Sequence, residues 1–189
     1  MGGSLLVYAQ NCNTTNSQED DMHEATVCHL LRGEGDDQEI LLAERASLFC
    51  NGIWNGPGGK MKEGERPLTC LARETMEEIG VRIARKSARH FATVDFYHPY
   101  HNEHRLEWRV HFFRVTVWTG EPNPKEGFSR FSWFKHKDLP YDKMMADQKV
   151  WVPLTLNGTA SGRLLMAEIY YGDAELRTID RGSFRFISA

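Results

Sequence analysis

Short apolar runs with the character of β-strands alternate along the chain with two helical patterns. Between 106 and 113, Leu106, Trp108, Val110 and Phe112 alternate with mostly polar neighbours, which is typical of a half-buried strand. Further strands are predicted where short runs are apolar, aromatic or β-branched: 24–31, 39–44, 91–97, 106–118 and 131–134. The last part of the chain predicts a hairpin of 163–171 with 175–179, turning at Gly172-Asp173.

The clearest helix is predicted over 67–79. Pro67 suits a first helical turn, apolar side chains recur at steps of three and four residues, and Gly80 follows as a terminator. A second helix is predicted over 145–156. Strands interleaved with two well-separated helices predict an α/β fold, a mixed sheet sandwiched between helices. We expect a single domain over 22–189, preceded by a polar lead-in over 1–21.

Composition narrows the possible partners. The 189 residues include 23 basic and 26 acidic side chains, a net charge of -3 that disfavours binding to a nucleic-acid polymer. The apolar runs are too short to cross a membrane, and the amino terminus lacks the features of a signal peptide. The four cysteines include no closely spaced pair, which favours reduced thiols. We therefore expect a cytoplasmic protein, and nothing in the sequence indicates its oligomeric state.

Three carboxylates project from the predicted helix. Glu74, Glu77 and Glu78 stand at offsets of zero, three and four residues and therefore share one helix face. A glutamate-rich face is usually a solvated surface. Like charges at these spacings repel each other, however, and a hard divalent cation with oxygen ligands would neutralise them. The positions of the glutamates alone therefore leave two interpretations open, a solvated surface and a site for a divalent cation.

The wider spacing around these glutamates resembles the Nudix box of the nucleoside-diphosphate-linked-moiety hydrolases. The matching pattern reads Gly59-x5-Glu65-x7-Arg73-Glu74-Thr75-x-Glu77-Glu78-x-Gly80. All seven invariant positions of the box are filled. Thr75 departs from the pattern, because a larger aliphatic residue is usual there.

The resemblance implies the Nudix fold, an α/β/α sandwich with a mixed sheet, and Mg²⁺-dependent hydrolysis of a phosphoanhydride bond, with Mn²⁺ as a substitute ion. It implies that Glu74 and Glu78 are the main metal ligands, and that Glu77 and the Gly58 carbonyl are further ligands. Arg73 would orient the glutamates by charge-assisted hydrogen bonds.

Two more residues are expected beside the phosphates. Lys60 follows the glycines that would approach the phosphates. The loop 120–127 looks like the loop that supplies a distal glutamate in MutT-type members, which makes Glu126 a metal ligand or the general base that activates the attacking water. The alternative for Glu126 is a solvated loop residue.

A narrower resemblance concerns the bound base. The segment 54–60 and the tract 133–154 look like those of the animal oxidised-purine nucleoside triphosphatases, a MutT-like branch of 8-oxo-dGTP diphosphatases. From their positions in this resemblance, Asn55 would hydrogen-bond to the base, Phe49 would line the base pocket and Asp147 would recognise the edge of the purine. Met145 and Gln148 stand where that branch has a tryptophan and a second aspartate, so the choice between oxidised and normal bases is left open.

The leading hypothesis is therefore hydrolysis of a purine nucleoside triphosphate of the 8-oxo-dGTP type to the monophosphate and pyrophosphate. A second enzyme hypothesis is hydrolysis of ADP-ribose or a dinucleotide polyphosphate. A nucleotide sensor without turnover belongs to another class and is disfavoured, because no metal-binding glutamate is lost. The histidine cluster 98–104 is interpreted as a loop and not as a metal site.

Overall fold

β-Strands are the main secondary-structure element of the described chain. The structure is a computed structural model that describes residues 22–46, 51–123, 125, 127–156 and 162–188; the predicted lead-in over 1–21 lies outside them. Ten strands and two helices occur in these ranges. In chain order they are β1 (His23–Arg32), β2 (Glu39–Arg45), β3 (Trp54–Asn55), α1 (Pro67–Ile79), β4 (Arg82–Ile83), β5 (Ala88–Tyr100), β6 (Glu103–Val115), β7 (Trp118–Thr119), β8 (Phe128–Lys135), α2 (Gln148–Leu156), β9 (Arg163–Tyr171) and β10 (Ile179–Ser188).

The main sheet is mixed. Its strand order is β10-β9-β5-β6-β1-β2-β3, and β8 pairs with β2 beside this path. The pairs β1–β6 and β5–β9 are parallel, whereas β5–β6, β9–β10, β1–β2 and β2–β8 are antiparallel. The short strands β4 and β7 form a separate two-stranded sheet. The parallel pairing of β1 with β6 starts at His23 opposite Trp108, so β1 lies in the middle of the sheet.

Each face of the sheet packs against one helix. Side chains alternate between the faces, so that Phe112 of β6 joins the core beneath α2 with Trp151, and Phe113 joins the core beneath α1 with Leu71. The sheet therefore lies between two helical layers, which confirms the predicted α/β sandwich. In the described ranges, neither helix is long and apolar enough to cross a lipid bilayer.

Helix α1 has the bounds that the sequence predicts. Pro67 occupies the first turn, where its missing N–H has no partner to lose. Gly80 ends the helix with a φ of 71°, a left-handed conformation that favours glycine, and its N–H bonds the carbonyl of Met76. Thr75 is buried, and its hydroxyl donates to the Leu71 carbonyl at 2.9 Å, so this departure from the box costs no unpaired group.

Several predicted boundaries are wrong. The strand predicted over 106–118 ends at Val115, and Trp118–Thr119 is the separate strand β7. The second helix begins at Gln148, because the chain before it turns through Met145, whose carbonyl accepts from the Gln148 N–H. The last strand is Ile179–Ser188 and not 175–179. The Asp173 carboxylate accepts from the Arg177 N–H and the Thr178 hydroxyl, which makes 173–178 a closed loop.

The histidine cluster is also organised differently from the prediction. Strand β5 continues to Tyr100 and β6 starts at Glu103, so most of 98–104 is the end of a hairpin. His101 turns the chain with a φ of 52°. Among the described residues, no cluster of histidines with acids or cysteines reaches metal-binding geometry.

The contact between α1 and the sheet gives a stability prediction. Leu71 is fully buried, and replacing it with alanine leaves a cavity, so Leu71→Ala is expected to lower the free energy of unfolding by about 2–5 kcal/mol. Met76 lies on the exposed side of the same helix, and Met76→Ala is expected to cost less than about 1 kcal/mol. Urea unfolding followed by circular dichroism measures both. Equal losses would contradict this packing.

Candidate functional site

A glycine segment (57–61) lies between β1 and α1. Its edge toward β1 is paired: the Thr26 N–H donates to the Gly59 carbonyl at 3.0 Å, and the Cys28 N–H donates to the Pro57 carbonyl at 2.7 Å. In extended backbone the N–H and C=O of one residue face the same edge, and the next residue faces the other. The Gly58 N–H and the Lys60 carbonyl accordingly face α1, where they bond to Glu78 and to Arg73.

One row of α1 side chains lies along this segment. Cys70, Glu74 and Glu78 are spaced four residues apart and form a row on the helix. The Gly58 N–H donates to Glu78 Oε2 at 2.8 Å, and a Cβ built on Gly59 would overlap the Glu74 carboxylate. Only glycine leaves room for this approach. Both carboxylates are buried, with 3% of Glu74 and 7% of Glu78 exposed.

The third predicted carboxylate lies elsewhere. Glu77 is on the exposed side of α1, where it accepts from the Arg73 guanidinium at 3.2 Å. Of the three carboxylates predicted to share one face, Glu74 and Glu78 therefore lie at the glycine segment, and Glu77 lies on the exposed side of the helix. Residues 71, 75 and 79 fill the next row toward the sheet, which explains why two glutamates are buried next to an apolar stripe.

Arg73 joins the carboxylates to the glycine segment. Its guanidinium binds both oxygens of Glu65, at 3.0 and 2.8 Å, and one oxygen of Glu74 at 2.5 Å. It also donates to the Lys60 carbonyl at 3.2 Å. A planar guanidinium with several donors can make these contacts simultaneously, which a lysine cannot. Arg73 thus fixes the direction of Glu74, the orienting role that the sequence predicts for it.

Burial and charge act in opposite directions on these acids. The Arg73 guanidinium lowers the pKa of Glu65 to about 2 by hydrogen bonding. Burial raises the pKa of Glu74 above its usual value even though Arg73 opposes the shift, because water no longer solvates that carboxylate. Burial also raises the pKa of the Cys70 thiol to about 12, so this cysteine is not an ionised nucleophile. Additional positive charge near Glu74 would therefore stabilise the ionised form of its carboxyl group.

The residues at this site fit a divalent cation in their donor chemistry. Glu74 and Glu78 supply carboxylate oxygens beside the backbone of the glycine segment, where the Gly58 N–H binds Glu78. Oxygen ligands of this kind suit hard cations. Among the described residues, no three acid, histidine or cysteine side chains converge at coordinating distance, since Glu77 and Glu74 bind Arg73.

The other predicted phosphate-side residues are less closely grouped. The Lys60 amine lies 5.9 Å from the centre of the Trp108 ring. Glu126 lies outside the described residues. Its neighbour Lys125 packs on the end of α1, where its backbone N–H donates to the Glu78 carbonyl at 3.3 Å and its amine donates to the Met76 carbonyl at 3.0 Å.

A second group of polar side chains lies at the start of α2. The Asn55 side-chain oxygen accepts from the Gly56 N–H at 2.8 Å and from Gln148 Nε2 at 3.1 Å. Both Asn55 and Gln148 are buried. Met145 is partly buried against the same core, whereas Phe49 lies outside the described residues. The structure thus brings together Asn55 and Gln148, residues 93 positions apart that the sequence assigns to base binding.

Asp147 is held in the adjacent buried position. One carboxylate oxygen accepts from the Trp151 indole at 2.7 Å, and the other accepts from the Tyr171 hydroxyl at 2.8 Å. Sequence reasoning did not single out Tyr171. The only available signal was the alternation of 163–171, which places Tyr171 on the inward face of its strand without indicating a partner.

The two groups of residues are connected by a short stretch of chain. Asn55 follows Trp54 on β3, and the glycine segment starts two residues later. The backbone that carries Asn55 toward α2 therefore continues directly into the peptide that binds Glu78. A ligand spanning the two groups would meet carboxylates at one end and amide and aspartate groups at the other.

Comparisons with known proteins agree with this arrangement. The family model of the NUDIX domain matches residues 22–155. The oxidized purine nucleoside triphosphate hydrolase of Danio rerio is 34% identical over 124 residues, which cover 62% of this chain and 71% of that protein. The 8-oxo-dGTP diphosphatase of Buchnera aphidicola is 34% identical over 97 residues, covering 51% of this chain and 67% of that protein.

A solved structure shares the fold. The MutT protein of Bacillus halodurans superposes with a TM-score of 0.68 at 24% identity, covering 86% of this chain and 97% of that one. The chain belongs to the Nudix family. It has the Nudix fold and is a hydrolase that acts on pyrophosphate bonds, and members of the family generally use divalent metal ions.

The arginine contacts give a testable expectation for stability. Arg73→Ala leaves Glu65 and Glu74 without their cationic partner and is expected to cost about 3–5 kcal/mol of unfolding free energy. Arg73→Lys keeps the charge but loses the planar fork and is expected to cost about 1–3 kcal/mol. The exposed Arg66→Lys is the matched control. Chemical denaturation measures all three, and an Arg73→Lys variant as stable as this control would contradict the geometry.

The lowered pKa of Glu65 predicts how stability changes with acid. Because the folded pKa of about 2 lies below the usual 4.5, the ionised group stabilises the fold above pH 4.5, and this contribution is lost as the pH falls toward 2. Glu65→Gln should flatten the pH dependence of unfolding free energy in this window by up to about 1.4 kcal/mol per pH unit. Exposed Glu63→Gln should leave it unchanged. Denaturant titrations at several pH values measure the slope, and an unchanged slope in Glu65→Gln would contradict the assignment.

Proposed function

We propose that this enzyme hydrolyses purine nucleoside triphosphates of the 8-oxo-dGTP type to the monophosphate and pyrophosphate, with Mg²⁺ as its metal ion. The observation that carries the proposal is the short connection between the two polar groups. Asn55, bonded to Gln148, and Gly58, bonded to Glu78, are three residues apart on one stretch of backbone. That spacing suits a substrate with a base at one end and phosphates at the other.

The proposed phosphate end uses the residues of α1. Glu74 and Glu78 would hold Mg²⁺ together with the Gly58 carbonyl, with Glu77 as a further ligand from the rim. When bound, the cation supplies positive charge to the phosphates and lowers the pKa of coordinated water. Mn²⁺ would replace it, because both ions accept carboxylate and carbonyl oxygens.

The residues around the glutamates do the positioning. Arg73 holds Glu74 by charge-assisted hydrogen bonding, and the Gly58 N–H holds Glu78. Both carboxylates are thereby oriented before the substrate arrives, which avoids the cost of ordering them during the reaction. Glu126 is our proposed general base for the attacking water, and Lys60 our proposed contact for the phosphates.

The proposed base end uses the residues that precede and begin α2. Asn55, Asp147 and Gln148 carry the hydrogen-bonding groups, and Met145 and Phe49 would pack against the ring. Amide and carboxylate groups around an apolar wall suit a flat heterocycle with donors and acceptors on its edge. The names of the Danio rerio and Buchnera aphidicola relatives support a purine and an oxidised guanine in this position.

The overall charge fits a small substrate better than a polymer. The net charge of -3 favours a nucleotide held through a metal ion over a nucleic-acid backbone held by basic side chains. Nucleoside triphosphates are cytoplasmic metabolites, and we propose that the protein acts on them there.

A single substitution tests the proposed chemistry. Glu78→Gln removes one charged metal ligand, and loss of several kcal/mol of transition-state stabilisation should lower kcat on the order of 10³-fold. Nucleotide binding should persist, because the base end is unchanged. The control is Glu63→Gln, an exposed glutamate that precedes α1. Steady-state assays of pyrophosphate release with 8-oxo-dGTP, dGTP and dATP measure the rates.

Metal removal and the choice of substrate complete the test. Chelation with EDTA should abolish turnover of 8-oxo-dGTP, and added Mg²⁺ or Mn²⁺ should restore it. Turnover of ADP-ribose or a dinucleotide polyphosphate without turnover of any purine triphosphate would overturn the proposed substrate. A Glu78→Gln variant with the rate of the control would overturn the proposed role of α1.

A further inference from the structure

Asp147 is enclosed by two hydrogen-bond donors from separate elements. The Trp151 indole comes from α2 itself, one turn further along the helix, and the Tyr171 hydroxyl comes from the end of β9. Trp151 and Tyr171 are fully buried, and Asp147 is almost so. Each carboxylate oxygen accepts one of the two hydrogen bonds. The orientation of the carboxylate is therefore fixed by donors from two separate elements, one at each oxygen.

Packing holds the Tyr171 ring in place. The ring stacks on Phe96 of β5 with 6.0 Å between ring centres, and His98 lies edge-on against it at 5.5 Å. The Tyr171 carbonyl is also bound by a ring nitrogen of His104 at 2.9 Å. A ring packed in this way cannot swing its hydroxyl elsewhere, since buried side chains stay in one rotamer. The bond to Asp147 is thus a fixed feature of the fold.

The neighbouring amides are ordered by a similar chain of contacts. The Gly56 N–H is always a donor, so the Asn55 atom that it binds must be the oxygen. That oxygen also meets the Gln148 side chain, which must therefore present its NH₂ group. Gln148 Oε1 is left as an acceptor, and it is buried without a hydrogen-bond partner among the described residues. A buried acceptor of this kind is costly unless a ligand pairs with it.

Residues 147 and 148 then present the same hydrogen-bonding character. Tyr171 and Trp151 both donate to Asp147, so they favour the ionised carboxylate, which only accepts hydrogen bonds. Gln148 offers its oxygen. Two adjacent acceptors match the edge of guanine that carries an N1–H and an amino group. Adenine has an acceptor at N1 and no amino group at C2, so it would meet these oxygens poorly.

We propose that Tyr171 is a positioning residue of the base-binding site, which holds Asp147 as a hydrogen-bond acceptor and thereby favours guanine-type over adenine-type nucleotides. This inference rests on the proposed function, in which the base lies against Asp147 and Gln148. It assigns a role to β9. This strand lies outside residues 22–155, the range that the family model matches.

The surroundings of Asp147 agree with this role. Burial raises the pKa of Asp147, and the hydrogen bonds from Trp151 and Tyr171 act against that rise. No charged side chain contributes to the shift among the residues that the structure describes. Tyr171 itself contacts the ring of His98, whose Nδ1 lies 2.6 Å from the Glu107 carboxylate. Removing the Tyr171 hydroxyl takes away one of the hydrogen bonds that oppose the effect of burial, so the pKa of Asp147 should rise further.

The test compares Tyr171→Phe with Tyr170→Phe. Tyr170 is the next residue on β9, and its ring stacks on Tyr97 at 4.3 Å on the other face of the sheet, so its variant is a matched loss of a tyrosine hydroxyl. For Tyr171→Phe, KM for guanine-type triphosphates should rise about tenfold with kcat within about twofold of wild type. The preference for dGTP over dATP should fall by a similar factor, and Tyr170→Phe should behave as wild type.

A merely structural role for Tyr171 has a different signature. If Tyr171→Phe changes KM for dGTP and dATP equally, or changes neither, the inference is overturned. Thermal unfolding of both variants in parallel shows whether each is folded at the assay temperature. Should Tyr171→Phe fail to fold, Trp151→Phe removes the other donor to the same carboxylate and is judged by the same selectivity.

A second measurement separates this inference from the proposed function. The carboxyl carbon of Asp147 is followed by NMR during a pH titration of each variant. A pKa of Asp147 that is higher in Tyr171→Phe than in wild type and Tyr170→Phe supports the positioning role, and an unchanged pKa overturns it. If wild type hydrolyses no purine triphosphate, the proposed function fails, and the titration alone decides whether Tyr171 positions Asp147.

Discussion

The contact of Arg73 with the surrounding acids is the interaction on which this site depends. Helix α1 brings buried carboxylates against a segment of backbone, and burying such charges without compensation is strongly unfavourable. The guanidinium compensates them and simultaneously binds the Lys60 carbonyl, so that one side chain neutralises the acids and joins the helix to the glycine segment. The geometry of Glu74 follows from this contact and from the absence of a side chain at Gly59, whereas the Gly58 N–H holds Glu78.

The backbone stretch 55–61 joins the two groups of polar side chains and sets the distance between them. One edge of this stretch is paired with β1 in the middle of the sheet, so its position is rigidly determined. The Gly58 N–H on its other edge binds Glu78, and the side chain of Asn55 at its start binds Gln148. Because both contacts come from the same short segment, the distance between the two groups of polar side chains is set by the sheet and not by a flexible loop.

The last hairpin adds a constraint from outside the part of the chain that defines the family. Strand β9 pairs in parallel with β5, and this pairing carries the Tyr171 hydroxyl to the start of α2. Asp147, directly before α2, and Gln148, its first residue, would otherwise be buried without a defined orientation. Tyr171 of this hairpin donates a hydrogen bond to Asp147, and Asn55 of β3 accepts one from Gln148, so that each of these two side chains is held in one orientation.

Local patterns determined much of this from the sequence alone. Pro67, Gly80 and the apolar spacing between them define α1 because these signals act within one turn of helix, and the spacing from Gly59 to Gly80 identified the family. The tertiary structure decided which glutamates are buried, that Asn55 meets Gln148, and that Tyr171 meets Asp147. These contacts join residues far apart in the chain. They depend on strand order and on which helix row faces the glycine segment, and no local pattern encodes either.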